Sequence, residues 1–418
     1  MRPSKEKIGA NQKSPRKVEM KSTTEIAGNE KKSQIGPTII NVGQLLEYLL
    51  RIKDKRKARG KRYRLETIFV LFILAKLCGQ NKVYGIADWV KQHGEYLAEA
   101  LKLERKKMPH HSTYRRILAK EIEGDDFEQV IGNYLAQITS CDGQPTVVVI
   151  DGKTVRGTIT MEDPFGLHLL AAYLPNEGIV LMQMVVEKEK ENEISVAPKL
   201  LKSLDLRNKI VTGDAMHAQR QISTQIVEAG GHFVWIIKDN QAKTKQAIEK
   251  LFAPEKQLPG LGCPPMNFRS AKTVTKQAGR LEERTITVSS LLNDYLAWPY
   301  LGQVFKLERR FTNMASGEVT TEVTYGLTDM TAQNLPPQKL LKVVRSEWGI
   351  ENGLHYRRDV TFQEDQTRMT DKAMGRAMAV INNLVVSLLN LHGFSNHAHA
   401  RRVFDACPDK ALALIRGL

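Results

Sequence analysis

The sequence is short of paired cysteines, long apolar runs and acidic charge, and each shortage excludes something. Its four cysteines, Cys78, Cys141, Cys263 and Cys407, lie far apart with no Cys-x-x-Cys pair. That argues against a zinc site and a disulfide scaffold, and fits a reducing cytosol. The longest apolar run, Ile68 to Ala75, stops at Lys76, far short of the roughly 20 residues that span a bilayer. The charged N-terminus has no apolar stretch of the secretory kind, so no membrane association is expected. Asp and Glu number 46 against 62 Lys and Arg, a net charge of +16. Such a surplus suits a polyanionic partner, because cations that neutralise phosphates release condensed counterions.

A chain of 418 residues with 42% hydrophobic content has room for two or three domains. Residues 1–38, rich in Lys, Ser and Asn, read as a disordered basic tail. Residues 39–140 read as a helical, DNA-binding domain, with Val42, Leu45, Leu46, Leu49 and Leu50 at helical spacing and Leu65 to Leu77 as a buried helix. Between these helices, nine of the fourteen residues from Arg51 to Arg64 are Lys or Arg. Arg51, Lys53, Lys55, Arg56, Lys57, Arg59, Lys61, Arg62 and Arg64 are candidate contacts to a DNA backbone. Arg115 and Arg116 join them, on a short helix that Ser112 would cap. Elsewhere such a run is usually a solvated loop.

Past Pro145 the pattern changes. Thr146 to Ile150 is a wholly apolar, β-branched strand, and Leu167–Leu174 with Ile179–Glu187 reads as a hairpin. A helix at Val196–Leu204, a strand at Ile210–Thr212, a helix at Gln219–Ala229 and a strand at His232–Lys238 follow. Residues 141–258 are therefore expected to form an α/β layer on a mixed sheet. Residues 259–335, opened by Pro259, Pro264 and Pro265, read as a β-rich insertion with strands at Arg284–Ser289, Gln303–Thr312 and Thr320–Leu327. Residues 336–395 carry helices at Pro337–Tyr356 and Asp371–Leu391, and 396–418 read as a tail.

Asp151 directly follows the first apolar strand, and Asp214 follows Ile210–Gly213. Strand ends of an α/β sheet are where a ligand crevice forms. Two bare carboxylates there would repel, and one would hold a proton unless a hard cation such as Mg²⁺ relieved the conflict. Glu351 is the candidate third carboxylate, with Trp348 and His355 near the same helix face. Three carboxylates could hold two metals for in-line attack on a phosphodiester. Taken singly, each of these acids is more often a cap, a turn or a surface group. Gly152-Lys153-Thr154 imitates the end of a phosphate-binding loop, but Val147 stands where that loop needs glycine. His110, His111, His397 and His399 lack the partners of a metal framework, and Trp235 reads as core.

Three segments carry a family likeness: Ile150 to Gly157; Lys190 to Ile194 with Val211 to Gln219 and Lys238 to Gln241; and Trp348 to His355 with Asp359 to Asp365. In this order they resemble the H-repeat-associated (ISAs-type) insertion-sequence transposases of bacteria, of the DDE group, from about Leu45 to about Leu391. The resemblance implies an RNase H-like catalytic core in which Asp151, Asp214 and Glu351 bind two Mg²⁺ or Mn²⁺ ions. It implies cleavage at the ends of an element and strand transfer into target DNA, by a homodimer on double-stranded DNA in the bacterial cytoplasm, at the nucleoid. Lys153, Asn192, Glu193, Asn352 and His355 would support the carboxylates. Glu347 stands where a His is common in the family, Tyr356 where a Trp is, and Ala278 where a His is. Two alternatives stay open: an inactive DNA-binding remnant, and a metal nuclease without strand transfer.

Overall fold

The computed structural model describes residues 42–138, 145–187, 190–253, 267–277 and 279–416. The basic tail expected over 1–38, and Ala278, lie outside the described residues.

The N-terminal part is helical, as expected: α1 (Val42–Leu49), α2 (Leu65–Leu77), α3 (Val83–Gln92), α4 (Gly94–Ala100), α5 (His111–Arg116) and α6 (Gly124–Gln137). α2 is apolar all round and buried along nearly its whole length, as a helix without a polar face must be.

The sheet begins with β1 (Thr146–Val155), β2 (Leu167–Leu174) and β3 (Ile179–Val186). α7 (Glu193–Lys202), β4 (Lys209–Gly213), α8 (Arg220–Glu228), β5 (His232–Ile237) and α9 (Ala242–Phe252) follow. β1 lies parallel to β4 and β4 to β5, while β2 and β3 pair antiparallel beside β1. The order β3-β2-β1-β4-β5 is the RNase H-like mixed arrangement that the resemblance implies. α6, α7 and α11 (Lys372–Leu391) cover its hairpin side, and Val147 to Ile150 on the central β1 are buried.

The insertion is β-rich, with β6 (Arg269–Gln277), β7 (Arg280–Ser289), β8 (Gln303–Asn313) and β9 (Val319–Thr328). It extends the same sheet, because β9 pairs antiparallel with β5 to give nine strands in one order. β6 went unread in the sequence: it is mostly polar and exposed, so it lacks the apolar alternation that marks a half-buried strand.

Two expectations for the C-terminal part are corrected. The helix expected over Pro337–Tyr356 is α10 (Pro337–Ser346), followed by π-helical turns over Glu351–His355 and Arg357–Thr361. Residues 396–418 are no tail but α12 (His397–Ala406) and α13 (Pro408–Arg416), packed on α2. Ala400, Phe404, Ala411, Leu412 and Ile415 fill that contact, Asn396 caps α12 by accepting from the His399 N–H at 2.9 Å, and Trp89 Nε1 donates to Asp405 at 3.2 Å. α11 is the one described helix long and apolar enough to cross a bilayer, but it is 83% buried inside the protein and serves as core.

Candidate active site

Register places the two aspartates together. Ile150 on β1 pairs with Gly213 on the parallel β4, so Asp151 and Asp214 each stand one residue past the last paired position. A side chain at position 213 would press a Cβ to 2.6 Å from the Ile150 carbonyl oxygen, so only glycine lets the strands meet there. Asp151 is not at the strand's end, as the sequence suggested. β1 runs on to Val155 because β2 continues to pair with it, Asp151 opposite Ala171. What ends at Ile150 is the pairing with β4, and that opens the space in front of the carboxylates.

Asp151, Asp214, Glu347, Glu351 and Asn352 line one cleft of about 890 Å³. Burial pushes the Asp151 carboxyl up to about 7, helped by the charges of Asp214, Glu193 and Glu351 and opposed by the Gly152 N–H, which donates to Oδ1 at 2.9 Å. Glu347 is pushed further, to about 8, by burial and then by Asp214, against the pull of Lys238. The cleft thus concentrates negative charge that its own cations leave unrelieved.

Glu351 is exposed on the first π-helical turn, and His355 one turn on is buried. His355 Nδ1 lies 3.5 Å from Asp151 Oδ2 and 3.4 Å from Glu351 Oε2. Ligand atoms of Asp151, Glu351 and His355 all lie within 4.8 Å of one another. Asp214 faces the same cleft but stands outside this tight group. Burial, with the cations Arg358 and Lys153, lowers His355 to about 3, so its imidazole is neutral at ordinary pH.

The other supporting candidates divide. Lys153 bonds Asp359 at 2.6 Å and faces Asp365 at 3.8 Å, away from the carboxylates. Asn192 is an exposed helix cap, accepting from the Ser195 N–H at 3.0 Å, and so fixes the start of α7 rather than touching the site. Glu193, next along, packs its carboxylate against Gly152, where an added Cβ would come within 2.2 Å of it. His168 Nε2 donates to Glu193 at 2.8 Å and His217 Nε2 lies at 3.4 Å. Burial alone would raise Glu193, but these histidines outweigh it and hold the carboxyl at about 2. Neither histidine was singled out in the sequence, since nothing linear joins positions 168, 193 and 217.

Basic side chains form the far wall of the cleft: Lys238 after β5, Arg284 on β7, Arg309 on β8 and Arg345 on α10. Sequence reading passed over Arg284 and Arg309, as only the folding back of the insertion brings them here. Of the DNA-contact candidates, Arg51, Lys57, Arg59, Arg62 and Arg115 are exposed, whereas Lys53, Lys55, Lys61, Arg64 and Arg116 are exposed but engaged with acidic neighbours. Arg56 is a correction. It is buried, and donates to both carboxylate oxygens of Asp54 at 2.9 Å, so it cannot face solvent DNA.

Comparison with known proteins identifies the family. The Transposase DDE domain family matches residues 142–388, and a DDE_Tnp_1-associated domain matches 46–135. YbfL of Escherichia coli K12 is 27% identical over 351 residues, 83% of this chain and 90% of the relative. The H repeat-associated protein YhhI of the same organism gives the same identity and coverage. The H repeat-associated protein YbfD, also from that organism, is 31% identical over 216 residues, 51% of this chain and 83% of the relative. A solved piggyBac transposase synaptic complex with hairpin DNA aligns at 10% identity and a TM-score of 0.42, over 91% of this chain and 78% of that one, too distant to bear on the site. The match across the whole sheet and its following helices settles the family: the chain belongs to the DDE transposases.

Proposed function

We propose that this chain cuts DNA at the ends of an insertion element and joins those ends to target DNA, in a reaction that requires divalent metal. The observation that carries the proposal is the crowding of Asp151, Asp214, Glu347 and Glu351 in one cleft with a neutral imidazole beside them. Uncharged water would leave that crowding unrelieved, whereas oxygen donors so placed suit Mg²⁺ or Mn²⁺. Asp151, Asp214 and Glu351 would hold the metal. Bound there, such ions lower the pKa of an attacking water or 3′-hydroxyl and neutralise charge on the leaving oxygen.

The protein's own groups supply position. Lys153 ties β1 to the segment beyond Glu351, and Glu193 with its histidines braces the backbone at Gly152. Arg345, with Arg284 and Arg309 beside it in ion pairs to Glu282, would offer positive charge to the phosphates of a strand crossing the cleft, while the exposed cations of 51–64 and Arg115 would bind flanking duplex. Element ends held in pairs imply a homodimer on DNA, acting at the nucleoid.

The test is incubation of purified chain with labelled duplex from the ends that flank its own gene, a target plasmid, and Mg²⁺ or Mn²⁺. Joined end–target product, lost in Asp151→Asn, supports the proposal. Cleavage of arbitrary DNA without joining would make it a nuclease, and salt-sensitive binding without cleavage in either metal would make it an inactive remnant.

A further inference from the structure

We infer that His355 is itself a metal ligand, so that one cation position in the cleft is an Asp151–Glu351–His355 site with a nitrogen donor rather than an all-oxygen one. The inference rests on the metal-dependent reading above and names the donor set of that same site. Three observations carry it. The separations of Nδ1 from the two carboxylate oxygens, 3.5 and 3.4 Å, are too long for good hydrogen bonds. Bonds of about 2.1 Å set adjacent donors of a six-coordinate ion about 3.0 Å apart, so a shift of about half an ångström brings Nδ1 and each carboxylate oxygen into range of one shared cation. Second, the ring is buried and turns Nδ1 toward both carboxylates, a fixed nitrogen donor beside the acidic pair. Third, Glu351 and His355 begin and end one π-helical turn. Such turns are rare and recur at functional sites, and this one brings donors four residues apart to bear on Asp151.

A nitrogen donor changes the preferred ion. Mg²⁺ favours oxygen ligands throughout, whereas first-row transition ions accept imidazole readily, so Mn²⁺ should be held in preference to Mg²⁺. Pulsed electron paramagnetic resonance on the full chain loaded with Mn²⁺ tests this without any turnover. A nitrogen modulation of a coordinated imidazole is expected in the wild type, absent from Asp151→Asn and from His355→Gln. Mn²⁺ affinity should weaken about tenfold or more in His355→Gln, with Mg²⁺ affinity changing less. The wild-type spectrum decides the matter even where the His355 variant fails to fold. Mn²⁺ that binds in an Asp151-dependent way with no nitrogen modulation overturns the ligand assignment and leaves the carboxylate site standing. Mn²⁺ binding that Asp151→Asn leaves unchanged overturns both.

Discussion

Lys153 Nζ and Asp359 Oδ1 stand 2.6 Å apart, joining β1 two residues beyond Asp151 to the π-helical segment that follows Glu351. The backbone N–H of Arg156 donates to Asp365 at 2.9 Å and reinforces the same junction. Asp151 and Glu351, far apart in sequence, are thus held in register by a bridge between the segments that follow them.

Removing that cation leaves Asp359 and Asp365 facing each other. Lys153→Met should cost about 2 kcal/mol, below the usual penalty for orphaning a buried charge because Asp359 is partly exposed. Urea unfolding checks it, and a loss under about 0.5 kcal/mol would show the bridge to be incidental.

A deeper pair lies beside it. Arg358 and Glu364 are both buried, 2.7 Å apart, and Asn382 donates to the second carboxylate oxygen at 2.8 Å. Glu364→Gln strands a buried guanidinium and should cost about 3–5 kcal/mol, most of which Arg358→Met combined with Glu364→Leu should restore. Burial works to raise Glu364, yet Arg358 holds it below the ordinary range. The stability it contributes is therefore present above the unfolded carboxylate value and lost as pH falls through the folded one.

Asp151 at about 7 and Glu347 at about 8 carry the opposite sign. Between the unfolded carboxylate range and these values the folded chain binds more protons than the unfolded one, so their contribution to stability falls as pH rises towards 8. Metal must displace those protons, so Mn²⁺ affinity should strengthen by about tenfold per pH unit for each proton released, below about pH 7. Glu347→Gln should make that dependence shallower. Calorimetric Mn²⁺ titrations across this range decide it, and a flat profile would contradict the crowding.

Much of this was legible in the sequence because it is local. The β-branched run before Asp151, the strand before Asp214 and the i, i+4 pair Glu351 and His355 each declare themselves by composition or spacing. What was missed depends on contacts that no window contains. The brace of Glu193 by His168 and His217 joins three separate elements. α12 hides among polar residues, with Ala400 and Phe404 its main buried apolar contacts. Arg56 looked like its basic neighbours until Asp54 was seen to enclose it.

The basic run yields a prediction that separates its members. Lys57, Arg59 and Arg62 are exposed and in no ion pair among the described residues. Replacing all three with Ala should weaken DNA binding across sequences and flatten the logarithmic salt slope by about 2–3. Arg56→Ala should instead lower stability, which thermal unfolding would register. An unchanged slope in the triple variant would make the run a solvated loop.

The most direct measurement is metal-dependent nicking of duplex carrying the element's own end, with wild type, Asp151→Asn, Asp214→Asn and Glu351→Gln assayed side by side. Each substitution is expected to slow nicking by at least about a hundredfold, the worth of several kcal/mol of metal-assisted charge stabilisation, while leaving the fold and DNA binding intact. A near wild-type rate in any one of the three would contradict the shared carboxylate site.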